Sequence, residues 1–105
     1  MMTALQESDG NSRLVVEGEM TIYTAAAQKE EFIAQLDRCT ELELDLGEVS
    51  EIDSAGVQIL LMLKNETASS GKSLRLINHS EAVIEVFELL NLSPVFGEQL
   101  TSPAT

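Results

Sequence analysis

Tryptophan is absent from this sequence, cysteine occurs once, and aromatic residues make up only 4% of the 105 positions. With Cys39 alone, no disulfide can form within the chain, which is typical of proteins from a reducing compartment. Hydrophobic residues of all kinds still reach 44%, an ordinary globular fraction, so the core is predicted to be mainly aliphatic. Because no histidine lies near Cys39 in sequence, we expect a buried or half-buried structural thiol.

Basic residues are also scarce. Six Lys and Arg stand against eighteen Asp and Glu, which gives a formal net charge of −12. Nucleic acids and anionic membranes are bound through clustered Lys and Arg, so this balance argues against both and favours a protein partner with a basic surface. There is no signal-peptide pattern at the N-terminus and no run of roughly 18 apolar residues that could span a membrane. We expect a cytoplasmic protein without direct membrane insertion.

Residues that carry catalysis or bind metal ions are few. His79 is the only histidine, no metal-ligand cluster surrounds it in sequence, and its position before Ser80 predicts an exposed loop residue. The acidic pairs Glu30–Glu31 and Glu85/Glu88 are typical of solvated helix faces. The sequence contains neither a P-loop nor another glycine-rich phosphate cradle. These features predict a protein that is not an enzyme and that holds no metal ion or cofactor of its own.

The apolar pattern predicts an α/β fold. Leu42, Leu44 and Leu46 alternate with acidic residues, as expected for a strand with one buried face. Gly18 is expected to end an earlier strand, and Gly47 to begin an acidic loop. The element order β-β-α-β-α-β-α predicts a mixed sheet of four to five strands with three to four helices packed on it. The predicted strands cover 3–7, 13–17, 41–46, 73–77 and 95–96, and the predicted helices cover 24–38, 54–69 and 80–91. Thr24 and Ser80 are expected to be the N-caps of the first and third helices.

The chain length fits one domain, which we assign to 1–105, with a core at about 3–98 and a flexible tail at 99–105. In the second predicted helix, Val57, Leu60, Leu61 and Ala68 share the side that should face the sheet. Ile59 and Met62 are predicted on the opposite side, where an apolar pair suggests a docking surface. The alternative is that they are ordinary scattered surface residues.

Ser54 lies where the central strand gives way to this helix, in the run Glu51-Ile52-Asp53-Ser54-Ala55-Gly56-Val57. Unpaired N–H groups at a helix N-terminus favour an attached anion such as phosphate. Gly56, without a side chain, would leave room for a kinase or a phosphate. Ser54 could instead be a plain N-cap, and Asp53 has the same alternative. Six acids, with no base among them in sequence, come before or beside the serine: Glu41, Glu43, Asp45, Glu48, Glu51 and Asp53.

Taken together, these segments resemble a STAS domain of the anti-sigma factor antagonist type. The resemblance covers roughly residues 3 to 98. Its pieces are Gly18-Glu19 before a helix, Leu44-Asp45-Leu46 leading to Ile52-Asp53-Ser54-Ala55-Gly56, Gly71-Lys72 before a strand, and the final helix from Val83 to Leu92. The resemblance implies that Ser54 is phosphorylated by a partner kinase and that Asp53 helps to present it. The implied contact surface comprises Asp53, Ser54, Ala55, Gly56, Gln58, Ile59 and Met62.

The same resemblance implies partner switching. Unphosphorylated protein would bind an anti-sigma factor or serine kinase of the histidine-kinase-like ATPase fold, and phosphorylation would release it. ATP and Mg²⁺ would belong to that partner, and a metal-dependent serine phosphatase would reset Ser54. Two alternatives stay open. The chain could be a non-switching STAS subunit of a lipid-transport ABC complex, in which Ser54 only caps a helix, or a ligand-binding regulatory STAS module with a pocket at the Ser54 end.

Overall fold

Four strands and four helices make up the described part of the chain, residues 2–8 and 10–96 of a computed structural model. The strands lie in the order β1-β2-β3-β4, with β1 antiparallel to β2 and the other pairs parallel. The α/β architecture predicted from the sequence is confirmed. The strands are β1 (Met2–Ser8), β2 (Asn11–Met20), β3 (Glu41–Ile52) and β4 (Ser73–Ile77), and the helices are α1 (Ala25–Asp37), α2 (Ser54–Ser69), α3 (Glu81–Leu89) and α4 (Ser93–Phe96).

The two β-α-β connections place their helices on one face of the sheet. β2, β3 and β4 follow one another in space as in sequence, so right-handed crossovers bring α1 and α2 to the same side, where they contact each other. The alternating leucines of β3 are completely buried on that side, as predicted, and all three phenylalanines join the otherwise largely aliphatic core. The residues of this core that have no exposed surface are Val16, Met20, Phe32, Leu42, Leu44, Leu46, Leu60, Leu63 and Val83.

β2 and β3 are longer than the sequence pattern predicts. Gly18 does not end β2, because a shift in the β2–β3 register beside it accommodates its positive φ of 85° and the strand continues to Met20. β3 likewise runs through Gly47 to Ile52, so the predicted acidic loop is wrong. Pairing between the extended strands keeps their backbones hydrogen-bonded to the end of the sheet, which is where α2 begins.

The C-terminal part of the described chain departs furthest from the prediction. The segment at 95–96 belongs to α4, not to a strand, and Phe96 stacks on Phe87 with ring centroids 5.5 Å apart. His79 is 1% exposed and packs edge-on against Phe87, so its assignment as an exposed loop residue is wrong. β4 ends at Ile77, and the Ser80 N–H then donates to the Leu46 carbonyl, which holds this segment against β3. The predicted tail at 99–105 lies outside the described residues.

Other predictions are confirmed. α2 and β4 have the predicted bounds, and Cys39 is buried. Ser80 caps α3 by accepting from the Val83 N–H at 3.2 Å. Thr24 occupies the N-cap position of α1 but makes no side-chain cap, because its hydroxyl accepts from the Thr21 N–H instead. Among the described residues, no helix is both long and apolar enough to cross a membrane.

Candidate functional site

Asp53 is the N-cap of α2. Its backbone is extended, with φ −118° and ψ −170°, and its Oδ1 atom accepts from the N–H groups of Ala55 at 2.9 Å and Gly56 at 3.2 Å. Its carbonyl oxygen accepts from the Val57 N–H at 3.0 Å, the first bond of the helical ladder. Because Asp53 does this work, the interpretation of Ser54 as a plain N-cap is wrong.

The same carboxylate joins α2 to the loop between β2 and α1. Oδ2 of Asp53 accepts from the Ile22 N–H at 3.1 Å, and the Asp53 N–H donates to the Met20 carbonyl at 3.2 Å. The Ile22 N–H makes the largest contribution to lowering the pKa of Asp53; partial desolvation opposes it, and the N–H groups of Gly56 and Ala55 lower the pKa further. Asp53 is thus a charged link between two segments.

Ser54 is exposed at the first position of α2. Its hydroxyl makes no hydrogen bond with any residue that the structure describes. The expected cradle of unpaired N–H groups is not observed, however, because Asp53 already occupies those of Ala55 and Gly56. A phosphate on Ser54 would therefore lie beside a carboxylate that competes for the same donors.

Gly56 is buried and serves packing rather than access. A Cβ at this position would lie 2.2 Å from the Met20 carbonyl oxygen and 2.9 Å from Cγ1 of Ile52. Any side chain would therefore push the first turn of α2 away from the end of β2. The expectation that Gly56 leaves room for a kinase is wrong. Gly56 instead lets the first turn of α2 pack closely against the end of β2, beneath the exposed surface.

The outward face of α2 differs from the predicted one. Ile59 is only 6% exposed and belongs to the core, so its predicted outward orientation is wrong. Met62 is half-buried at the edge of the core, and Ala68, predicted to face the sheet, is exposed. The reason is that α2 packs against α1 as well as the sheet, which buries a wider arc than a single stripe. The buried residues of α2 are Gly56, Val57, Ile59, Leu60, Leu63 and Thr67.

Of the predicted contact residues, the structure leaves Ser54 and Gln58 exposed and Asp53, Ala55 and Met62 half-exposed, next to one another on the first turns of α2. Sequence reasoning missed the neighbouring loop. There Ile22 is 69% exposed and Tyr23 is 90% exposed. In the sequence, Ile22 and Tyr23 are an apolar pair between the end of a strand and a helix cap, and they fit no periodic pattern. This pair was the signal that could have identified the loop.

Acidic residues surround this end of the sheet. Glu17 lies opposite Glu48, and Glu19 opposite Glu51, on the paired strands. Glu43, counted from sequence as lacking a nearby base, is paired in space: its carboxylate lies 2.7 Å from Arg13 Nε and 3.4 Å from Arg75 Nη1.

The described residues include no group of three or more His, Cys, Asp or Glu side chains placed to hold a metal ion. A shallow groove lies along α1, which is not the end of the fold that carries Ser54. Its lining residues are Ala26, Lys29, Glu30, Ile33, Ala34 and Asp37.

Known proteins share this architecture. The family model described as "Mlab, STAS domain" matches residues 3–97. The anti-sigma-B factor antagonist of Bacillus subtilis (strain 168) is 24% identical over 91 residues, which are 87% of this chain and 84% of that protein. An anti-sigma factor antagonist from Mycobacterium paratuberculosis superimposes with a TM-score of 0.74 at 25% identity, covering 96% of this chain and 87% of the other.

Two solved structures of SpoIIAA also share this fold, one described as an anti-sigma factor antagonist in its unphosphorylated form and one as a Bacillus cell fate determinant in its phosphorylated form. The unphosphorylated form superimposes with a TM-score of 0.75 at 19% identity, covering 90% of this chain and 84% of the other. The phosphorylated form superimposes with a TM-score of 0.66 at 21% identity, covering 90% and 86%. At this level of identity the two structures establish a shared fold.

Proposed function

The chain belongs to the STAS domain family, and we propose that it is a phosphorylation-controlled signalling protein of the anti-sigma factor antagonist type. Its unphosphorylated form binds an anti-sigma factor or serine kinase of the histidine-kinase-like ATPase fold. Phosphorylation of Ser54 releases that partner, and a metal-dependent serine phosphatase restores the binding form. ATP and Mg²⁺ are held by the kinase, and this chain is the phosphate acceptor, not a catalyst.

The observation that supports this proposal is the hydroxyl of Ser54, which belongs to an exposed residue and makes no hydrogen bond within the part of the chain that the structure describes. A serine at the start of a helix usually stabilises that helix by capping it. Here Asp53 caps α2 with both oxygens engaged, so helix stability does not explain the serine beside it. The hydroxyl projects from a rigid helix end, where a kinase can reach it. The similarity to antagonists, one of which is known in a phosphorylated form, supports the same role.

Electrostatic repulsion explains the release. A phosphoserine carries about −1.5 to −2 charges at pH 7. Asp53 lies next to Ser54 in the chain and, with a pKa below its ordinary value, is ionised at pH 7. Because Asp53 holds the nearest helix N–H groups, the phosphate is poorly neutralised by this chain. It therefore adds charge and hydration to the surface that the partner must cover, and binding weakens without refolding of the domain.

The proposed contact surface follows from exposure. We call Ser54, Ala55, Gln58 and Met62 the switch surface, because these side chains lie outward or at the edge of the core on the first turns of α2. Asp53 sits at its rim and orients the serine through the cap. Gly56 and Ile59 contribute by fixing the position of α2 from inside the fold.

The experiment is a phosphorylation assay on purified protein. Each serine kinase of the histidine-kinase-like ATPase class encoded in the source genome is incubated with the chain, ATP and Mg²⁺, and intact mass is measured. One added phosphate is expected with a cognate kinase, and none with Ser54→Ala. Ser50→Ala is the matched control, since Ser50 is also an exposed serine near the same end of the sheet. Phosphate that persists in Ser54→Ala, or that disappears in Ser50→Ala, would contradict the assignment.

A second candidate remains, because the matching family model carries the description Mlab and not that of an antagonist. This candidate is a non-switching STAS subunit that docks constitutively on the ATPase of a lipid-transport ABC complex. It predicts a stable complex whose affinity is the same for the wild type and Ser54→Asp. The switch predicts a weaker complex for Ser54→Asp, so one binding measurement distinguishes the two.

A further inference from the structure

The loop between β2 and α1 presents two apolar side chains on a rigid backbone. The Thr21 N–H donates to Thr24 Oγ1 at 3.0 Å, and the Tyr23 N–H donates to Thr21 Oγ1 at 3.3 Å. The Thr24 N–H donates to the Thr21 carbonyl at 3.0 Å, and the Ile22 N–H donates to Asp53 at 3.1 Å. This turn is held by its own hydrogen bonds and by α2, and yet its two largest side chains face solvent.

Such a loop has the properties of a binding anchor. An aromatic side chain on a fixed backbone loses little conformational freedom when it is buried by a partner, and burying its ring contributes strongly to affinity. Tyrosine is accordingly enriched among the few residues that dominate protein interfaces. Tyr23 is 90% exposed and Ile22 is 69% exposed, so most of the surface of both residues is available to a partner.

The position of the loop ties it to Ser54. Asp53 accepts from the Ile22 N–H through one oxygen and from the first turn of α2 through the other, so one carboxylate lies between the loop and the serine. The loop and the switch surface are therefore parts of one continuous face, with a spacing that is set by a single residue.

The charges around the loop indicate what kind of surface it fits. Glu19 lies opposite Glu51 at the ends of β2 and β3, and Glu19 accepts from the hydroxyl of Thr21 at 2.9 Å. Like charges on paired strands repel each other unless something neutralises them. Together with Asp53, Glu19 and Glu51 place negative charge next to Ile22 and Tyr23, where the loop meets the sheet.

We propose that Ile22 and Tyr23 form the anchor of the partner interface, inserting into an apolar pocket whose rim carries Lys or Arg side chains. This inference rests on the proposed function, since the pocket belongs to the anti-sigma factor or kinase that the switch surface contacts. It adds separate roles for three residues. Tyr23 supplies affinity for the partner, Ser54 supplies regulation, and Asp53 fixes the position of one relative to the other.

The test measures affinity with the same panel of purified ATPase-fold serine kinases and anti-sigma factors. Titration calorimetry or fluorescence anisotropy compares the wild type with Tyr23→Ala, Tyr23→Phe and Leu89→Ala. Leu89 is the matched control, because it is an apolar side chain 82% exposed at the end of α3. Tyr23→Ala is expected to weaken the complex tenfold or more, on the order typical of interface anchors, while Tyr23→Phe and Leu89→Ala stay within about threefold. Glu51→Gln should reduce the dependence of affinity on salt.

Each outcome decides a separate point. Wild-type binding with unchanged affinity for Tyr23→Ala would overturn the anchor and leave the phosphorylation switch standing. A tenfold loss for Tyr23→Ala, with wild-type affinity for Ser54→Asp, would support the anchor and contradict the switch. Absence of binding to every member of the panel would overturn both. Because Tyr23 is almost fully exposed, Tyr23→Ala should keep the wild-type melting temperature, and circular dichroism checks this.

Discussion

At the scale of single residues, Asp53 joins several parts of the fold through its hydrogen bonds. Its two oxygens accept three backbone N–H groups from two segments, and its own N–H and carbonyl bond to β2 and α2. Donors of this kind stabilise the charged form of a carboxylate, which is why the pKa is lowered. One aspartate therefore starts α2, positions Ser54 and closes the loop that carries Tyr23.

A pH-dependent loss of stability is the first consequence. A carboxylate whose pKa is lower in the folded state stabilises the fold above its unfolded pKa of about 3.9, and this contribution is lost as the pH falls through the folded value. We expect Asp53→Asn to be less stable than the wild type at pH 7, with a smaller difference near pH 3. Urea unfolding at both pH values measures it, with Glu51→Gln as the control for removing one charge. An equal difference at both pH values would contradict the role of the charge.

The serine could be predicted from the sequence, but much of its surroundings could not. The run Asp53-Ser54-Ala55-Gly56 predicts a helix start, and α2 does begin at Ser54, which is exposed. It does not say which residue caps, because Asp and Ser compete for that position and the choice depends on backbone geometry. Nor does it show that Ile22 supplies a third N–H group, a contact across 31 positions of the chain.

At the scale of elements, α1 ends in an unusual way. Its last turn contains no basic residue, and yet the Leu36 carbonyl accepts a 2.6 Å hydrogen bond from Nζ of Lys72, which lies 36 residues later, just before β4. A cation at the C-terminus of a helix neutralises the unpaired carbonyls and the negative end of the dipole. Lys72 thus joins the end of α1 to the segment that leads from α2 into β4.

Removing this cation should cost stability. Lys72→Met keeps the aliphatic stem and loses the ammonium group, so we expect the free energy of unfolding to fall by about 1 kcal/mol. Lys29→Met is the matched control, because it makes the same charge change at an exposed position of α1, the helix that Lys72 contacts. Its free energy of unfolding should stay within about 0.5 kcal/mol of the wild-type value. Urea denaturation of the three proteins provides the measurement. Equal stability of the two variants would show that the Leu36 contact contributes nothing.

Element bounds were predictable where local signals decided them. α2 and β4 lie between clear caps and turns, and their predicted limits are observed. The ends of β2 and β3 were missed because Gly18 and Gly47 read as breaks, whereas cross-strand pairing with two register shifts keeps both strands in the sheet. α4 was missed because four residues give too little pattern, and stacking of Phe96 on Phe87 is a tertiary contact. Ile59 was misplaced because nothing local shows that α2 packs against α1 as well as the sheet.

At the scale of the whole molecule, acidic residues outnumber basic residues by eighteen to six. A net charge of −12 on 105 residues opposes compaction through self-repulsion. Glu43 lies between Arg13 and Arg75, and these two ion pairs relieve part of the repulsion. Toward the ends of β2 and β3, Glu19 lies opposite Glu51. Like charges on paired strands repel each other, so this pair adds repulsion near Ser54 and Tyr23 that a basic partner would relieve.

The free protein should consequently become more stable as salt is added. Between 0.01 M and 0.15 M salt the Debye length falls from about 30 Å to about 8 Å, which screens repulsion between these exposed acids. We expect a gain of about 1 kcal/mol, or roughly 4–8 °C in melting temperature for a domain of this size. Calorimetry in NaCl and in KCl should give the same rise, because screening does not depend on which cation is present. Glu51→Gln should melt higher than the wild type in low salt and gain less on addition of salt, since it removes one member of an opposed pair. A melting temperature that stays flat or falls with salt would mean that the acids of this face are already neutralised within the fold, and a basic partner would then gain little from covering them.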